Sequence, residues 1–160
     1  MASRAQKSAA VIGASLLAAS AASSLVVEWE GWVTKVGPDP IGIPTGCAGV
    51  TKGVRPGQVL TDAQCQQMTA QALTEHAVGI AQCLPDKLPN DTRAAFVSLS
   101  YNLGVAGFCS SKVAKLAREG RLGEACGALN LYVYAGKQKL PGLVTRRAAE
   151  AALCWKGLRS

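Results

Sequence analysis

The chain has 160 residues, enough for about one domain, and its 49% apolar content can supply a core. Lys and Arg outnumber Asp and Glu 17 to 10, a net charge of +7, and this composition excludes a low-hydrophobicity disordered tail. Aromatics at only 5% argue against a base-stacking surface and so against nucleic acid as a partner.

The first element is a tail. From Ser8 to Val27 twenty residues carry no charge, preceded by Arg4 and Lys7. A helix of that length just spans a bilayer core. Seven positions are strongly apolar (Val11, Ile12, Leu16, Leu17, Leu25, Val26, Val27), against seven Ala, five Ser and one Gly. At about −0.3 to −0.6 kcal/mol each, the strong seven contribute only roughly −2 to −4 kcal/mol toward insertion. The basic flank places Arg4 and Lys7 in the cytoplasm and everything after Val27 outside. Three readings follow: a signal peptide cleaved near Ala19-Ser20-Ala21, a buried helix of the domain, or a weak uncleaved anchor. The soluble domain then occupies 28–160, behind a membrane segment at 1–27.

Along the domain, Glu28 to about Lys35 reads as a continuation of the helix. Gly37–Gly53 is dense in Gly and Pro and reads as loop and short strands. Thr61-Asp-Ala-Gln64 is a capping box opening a helix to about Cys83. Asn90 or Asp91 can cap the next helix, with Phe96, Leu99 and Leu103 in phase and Gly104 as its stop. Ser110 or Ser111 caps another, with Val113, Leu116 and Ala117 on one face and Gly120 at its end. Short helices around Gly123–Asn130 precede a last one from about Leu143 to Trp155, with Ala148, Ala151, Ala152 and Trp155 predicted inward. The fold class is α+β, predominantly helical with one small β region.

Six cysteines (Cys47, Cys65, Cys83, Cys109, Cys126, Cys154) behind an export segment point to disulfides, of which fifteen complete pairings are possible. Sequential pairing closes short loops, each worth about 3 kcal/mol; buried free thiols are the alternative. The cysteine spacing and the lone His76 suit neither zinc nor histidine-based nucleophilic catalysis, and His76 reads as a surface or packing residue. No nucleotide-binding loop is present, so no metal or cofactor is expected. Of the ten carboxylates, Asp62, Asp91, Glu119 and Glu124 fall at helix ends, Glu75 and Glu150 inside helices, and Asp86 in a turn. Glu28, Glu30 and Asp39 remain at the tail–loop junction. A glutamate on a helix facing an aspartate on the next loop is what glycoside hydrolysis needs: one carboxylic acid protonates the leaving oxygen and the other activates water or attacks.

The spacing of these residues carries a resemblance. Glu30-Gly31, Asp39 after eight intervening residues and Thr45 after five more are similar to the Glu–Asp–Thr triad of the phage T4-type lysozymes. DPIGIPTGCAGVTKGV (Asp39–Val54) resembles their β-hairpin signature, and AAFVSLSYNLG (Ala94–Gly104), SSKVAKL (Ser110–Leu116) and GLVTRRAAEAALC (Gly142–Cys154) agree. The resemblance spans residues 28–157. With the weak tail in front, the chain resembles the signal-arrest-release endolysins, phage muramidases that are exported yet tethered. The implied activity is hydrolysis of the β-1,4 bond between N-acetylmuramic acid and N-acetylglucosamine in peptidoglycan, for host lysis.

By that resemblance Glu30 is the general acid, its pKa raised by partial burial against neighbours such as Trp32. Asp39 is the general base or electrostatic partner, Thr45 places the attacking water, and the reaction is inverting. Arg147 or Arg146 corresponds to the arginine that approaches the catalytic glutamate from the last helix. The cysteines favour sequential pairing, 47–65, 83–109 and 126–154. Tyr132 and Tyr134 are expected in the glycan groove or in the core. The sequence departs from the pattern where many relatives carry histidine after the hairpin glycine: here it is Val50, with Ala48 before. The implied partners are peptidoglycan and the host inner membrane, the latter through residues 8–27 after Sec-type export. The enzyme is expected to act as a monomer in the periplasm once released. Because Glu30 lies three residues after Val27, within about 10 Å even if extended, a membrane-spanning tail would pin the catalytic helix at the surface, inactive. A catalytically silent peptidoglycan-binding module is the alternative.

Overall fold

The computed structural model describes residues 4–160, with side chains from Ala9 onward, so the Arg4 and Lys7 side chains lie outside the described residues. The elements are α1 (Arg4–Glu30), β1 (Val33–Pro38), β2 (Pro44–Cys47), α2 (Asp62–Ala81), α3 (Asn90–Cys109), α4 (Lys112–Arg118), α5 (Leu122–Ala128), a 3₁₀ turn (Leu129–Leu131), β3 (Tyr134–Ala135), β4 (Gln138–Lys139) and α6 (Pro141–Arg159). This is the predominantly helical α+β architecture expected, with small β-hairpins.

The tail is one continuous helix that runs through the junction and ends at Glu30. Gly31 stops it: its φ of +77° turns the chain left-handed while its N–H still bonds Val27 O at 3.0 Å. The helical stretch expected to reach Lys35 therefore ends five residues earlier, and β1 begins at Val33. β1 pairs antiparallel with β2 in the register Val33↔Cys47, Gly37↔Thr45, Pro38↔Pro44, with an irregularity between Val33 and Gly37. Val36, Cys47, Val50, Leu60 and Cys65 form a small core beneath this hairpin.

The main core surrounds α3, which is buried on every side from Thr92 to Ser100. Helices α1, α2 and α6 pack around it. α1 contributes a stripe of small residues: Ser15, Ala18, Ala19, Ala22 and Val26 are buried. Its larger aliphatics Ile12, Leu16 and Leu17 stay outside at 52%, 51% and 64% exposure. The expected capping box is present in α2, where Gln64 N donates to Thr61 Oγ1 (3.2 Å) and Thr61 N to Gln64 Oε1 (2.8 Å). Ser111 caps α4.

Several expectations are corrected. Neither Asn90 nor Asp91 caps α3: Pro89 holds the cap position without a side-chain bond, and Asp91 sits in the first turn, paired with Lys156 at 2.8 Å. Gly104 breaks the helical path of α3 with φ +77°, ψ +159°, but a further turn of helix follows to Cys109. α6 begins at Pro141, a residue suited to the first helical position, and continues to Arg159. Its inward face is also out of phase with the expectation. Ala148, Ala152 and Trp155 are exposed, while Arg146, Arg147, Glu150, Ala151, Cys154 and Gly157 are buried. The physical reason is that α6 buries charge against charge, which an apolar-stripe rule does not anticipate. A second small hairpin, β3–β4, went unforeseen because two-residue strands carry no alternation to read.

The disulfides are Cys47–Cys65, Cys83–Cys109 and Cys126–Cys154. They tie β2 to α2, the end of α2 to the end of α3, and α5 to α6.

Candidate active site

Glu30 is the last residue of α1, and its side chain, 26% exposed, points to α6. Arg146 Nη1 donates to Glu30 Oε1 at 2.6 Å. Of the two arginines the sequence offered, Arg146 is thus the one that touches Glu30. Arg147 is fully buried, with Nη2 reaching Asn102 Oδ1 (3.4 Å) and Nη1 lying 3.2 Å from Glu150 Oε2. Burial holds the Arg147 pKa below the ordinary guanidinium value, opposed by the charge of Glu150.

The loop after β2 closes over the Glu30 carboxylate. A Cβ on Gly49 would sit 3.3 Å from Glu30 Oε2, and the residue adopts φ +77°, so glycine suits both the space and the turn. Tyr101, from α3, donates its hydroxyl to Ala48 O at 2.8 Å, anchoring the same loop. Burial, reinforced by the Glu30 charge, pushes the Tyr101 phenol up to about 12. His76 of α2 packs on the Tyr101 ring at 5.1 Å, and its Nδ1 lies 3.2 Å from Ser100 Oγ. Trp32, two residues after Glu30, donates its indole N–H to Asp62 Oδ1 at 2.9 Å.

Asp39 and Thr45 stand on the hairpin. Asp39 Oδ1 accepts from Ile41 N (2.9 Å) and Ile43 N (2.8 Å), closing the turn that carries it. Thr45 Oγ1 donates to Ile43 O at 3.0 Å. Tyr132 is half-buried against the core and its hydroxyl accepts from Lys112 N (2.9 Å) at the start of α4. Tyr134 is 58% exposed on β3.

The residue that sequence reasoning passed over is Glu150. Its carboxylate is fully buried, accepting from Ser98 Oγ (2.6 Å) and Arg146 Nε (3.2 Å). Its position, four after Arg146 and three after Arg147, is the spacing at which helix side chains meet, and that signal was available. Desolvation raises its pKa against the opposing pull of Arg147, Ser98 and Arg146.

These features have counterparts in known proteins. The profile of the Phage lysozyme family matches residues 27–150. The chain is 35% identical over 147 residues to a SAR-endolysin of Pseudomonas phage phiKMV, covering 89% of each chain. It is 33% identical over 120 residues to a SAR-endolysin of Bacteriophage PS119, covering 74% of this chain and 72% of that one. Among solved structures, the active form of P1 phage endolysin Lyz superposes with a TM-score of 0.78 at 27% identity, over 86% of this chain and 84% of that one. The chain belongs to the phage lysozyme family of glycoside hydrolases, and within it to the SAR-endolysins that serve host lysis.

Proposed function

We propose that this enzyme cleaves the β-1,4 bond between N-acetylmuramic acid and N-acetylglucosamine, with Glu30 as acid, Asp39 as base and Thr45 as the group that places water. The observation that carries this reading is the Glu30–Arg146 contact at 2.6 Å, which fixes one partly exposed carboxyl group at the end of α1, where Gly49 lets the hairpin loop approach it without a side chain between. Glu30 donates a proton to the leaving glycosidic oxygen. Asp39, held through Oδ1 by the hairpin amides, takes a proton from a water bonded to Thr45, and that water attacks from the opposite face with inversion. Exposed Tyr134 offers a stacking face to a sugar ring.

The same reading assigns residues 1–27 to the membrane before lysis and 28–160 to the muramidase domain. The N-terminus lies inside, the domain lies in the periplasm, and the enzyme is a soluble monomer after release. Arg4 and Lys7 supply the inside signal. Ser15, Ala18 and Ala19 lie in the core, and cleavage near Ala21 would empty that space, which favours intact release over processing. Val27 and Glu30 share one helix and are about 4.5 Å apart along its axis. A spanning tail therefore holds Glu30 at the headgroups and away from its hairpin.

The test is Glu30→Gln in the released protein on purified murein. Turnover is expected to fall by about 10²-fold or more with the circular dichroism spectrum intact, the loss associated with a missing general acid. Undiminished turnover refutes the assignment.

A further inference from the structure

Glu150 has no part in the chemistry above, yet it is the most deeply buried carboxylate near it. Oε1 holds Ser98 of α3 and the Nε of Arg146, and Oε2 faces Arg147 at 3.2 Å without hydrogen-bond alignment. Arg146 has a second tie to α3, Nη2 to Ser98 O at 3.4 Å, and turns Nη1 outward to the half-buried Glu30. A continuous chain thus runs Ser98–Glu150–Arg146–Glu30. A pin that served only to hold α3 to α6 would be complete at Ser98–Glu150, with no guanidinium nitrogen extended to the partly exposed Glu30.

The charges within this chain make the connection chemical as well as mechanical. With Glu30 ionised, two carboxylates balance two guanidiniums; with Glu30 protonated, the cluster carries one net positive charge. Without the charge on Glu150, Glu30 would face two guanidiniums and no second anion, which disfavours the protonated form that acid catalysis requires. The charge of Glu30 is felt at Arg147 as well as at Arg146.

Other elements around Glu30 leave this balance to the cluster. Tyr101 of α3 stays neutral in the working range, and Gly49 adds no charge. On α2, His76 lies against Tyr101, and Glu75 is paired with Lys52 of the post-hairpin loop at 2.8 Å. Asp39 stands on the hairpin as the second catalytic carboxylate. Glu150 itself faces Ser98, Arg146 and Arg147, with Asn102 beyond Arg147.

We propose that Glu150 is a positioning residue for hydrolysis: it fixes Arg146 against Glu30 and cancels the charge of Arg147, so that Glu30 faces one uncompensated guanidinium rather than two. The proposal rests on Glu30 being the general acid.

The experiment is the pH dependence of kcat on purified murein for wild type, Glu150→Gln, Arg147→Met and the double variant. Glu150→Gln is expected to move the basic limb down by about one pH unit, with a fall in kcat of about tenfold on that limb. Arg147→Met leaves the carboxylate charge in excess and is expected to move the limb up. The double variant, balanced again, is expected to return it to the wild-type position. Limbs that stay in place, or that shift in the same direction in both single variants, overturn the proposal, because a structural role gives no opposed signs. If Glu150→Gln fails to fold, Arg147→Met and the double variant decide, since the double leaves no lone buried charge. Glu30→Gln, assayed alongside, separates the two readings. Inactivity there with unmoved limbs defeats the Glu150 proposal alone, and retained activity defeats both.

Discussion

Helices α1 and α6 are joined by the Glu30–Arg146 ion pair and are built on opposite rules. α1 places small residues inward and its larger aliphatics Ile12, Leu16 and Leu17 outward. α6 places two arginines and a glutamate inward and leaves Ala148, Ala152 and Trp155 at the surface. The difference follows from the environments each helix meets. On the proposed release, a helix that leaves a membrane and enters a protein core needs a face thin enough to pack closely and enough aliphatic surface to hold lipid for a time. The last helix meets only protein on its inner side, where paired charges fix the active site in one arrangement.

The largest effect on this comparison should come from spoiling the inner stripe of α1. Ala18→Leu with Ala22→Leu places two large side chains where the described side chains leave no exposure, costing about 1–3 kcal/mol each. Thermal melts of the released variant should show the loss, and retention in the membrane fraction should rise as insertion becomes more favourable. Opening Cys126–Cys154, which staples α6 to α5, by paired Ala replacement should cost about 3 kcal/mol for a closed loop of sequence separation 28. For a chain of this size that is a fall of roughly 6–12 °C in Tm, readable by circular dichroism.

A smaller and more selective effect is expected on the outer face of α1. Leu17→Ser should leave the stability of the released enzyme within about 0.5 kcal/mol. It should also advance the time of lysis, because it weakens insertion without touching the core. A destabilised enzyme would show that the outward face has a protein partner.

The smallest effect tests whether a lone titratable group behaves unlike the paired charges of α6. Burial lowers the His76 pKa below its ordinary 6.5, outweighing the opposing pull of Glu75. The unfolded chain keeps the ordinary value, so it binds more protons as pH falls below about 6.5, and stability falls with it. Above that pH both states are neutral and the effect vanishes. In His76→Gln, Tm should therefore decline less between pH 7.5 and 5.5 than in wild type; an unchanged decline would remove His76 as its source.

Legibility in the sequence follows the same division. Local signals were readable where chemistry is local: the Thr61–Gln64 box, the Ser111 cap, and the Gly/Pro-dense hairpin. Glu30, Asp39 and Thr45 were singled out by spacing and resemblance, and the disulfide pairing by resemblance alone among fifteen possibilities. The phase of α6 was missed because an apolar rule was applied to a face whose burial is ionic, although Arg146, Arg147 and Glu150 carried the i+3 and i+4 spacing of such a cluster. In α1 the sequence showed seven strong aliphatics scattered among Ala, Ser and Gly, but not which face each would take. Segregation of small from large residues becomes meaningful only once α2 and α3 are known to receive the small face. The choice between Arg146 and Arg147 depended on tertiary geometry, since adjacent residues on a helix differ by about 100° in direction.

The central claim is that α1 serves the membrane or the enzyme but not both at once. It is tested most directly by measuring murein turnover per molecule in two fractions from one culture: spheroplasts bearing the tethered protein, and the soluble protein after the membrane potential is collapsed. The account predicts turnover in the soluble fraction and almost none in the spheroplasts, with α1 intact in both by mass. Equal turnover per molecule in the two fractions would contradict it.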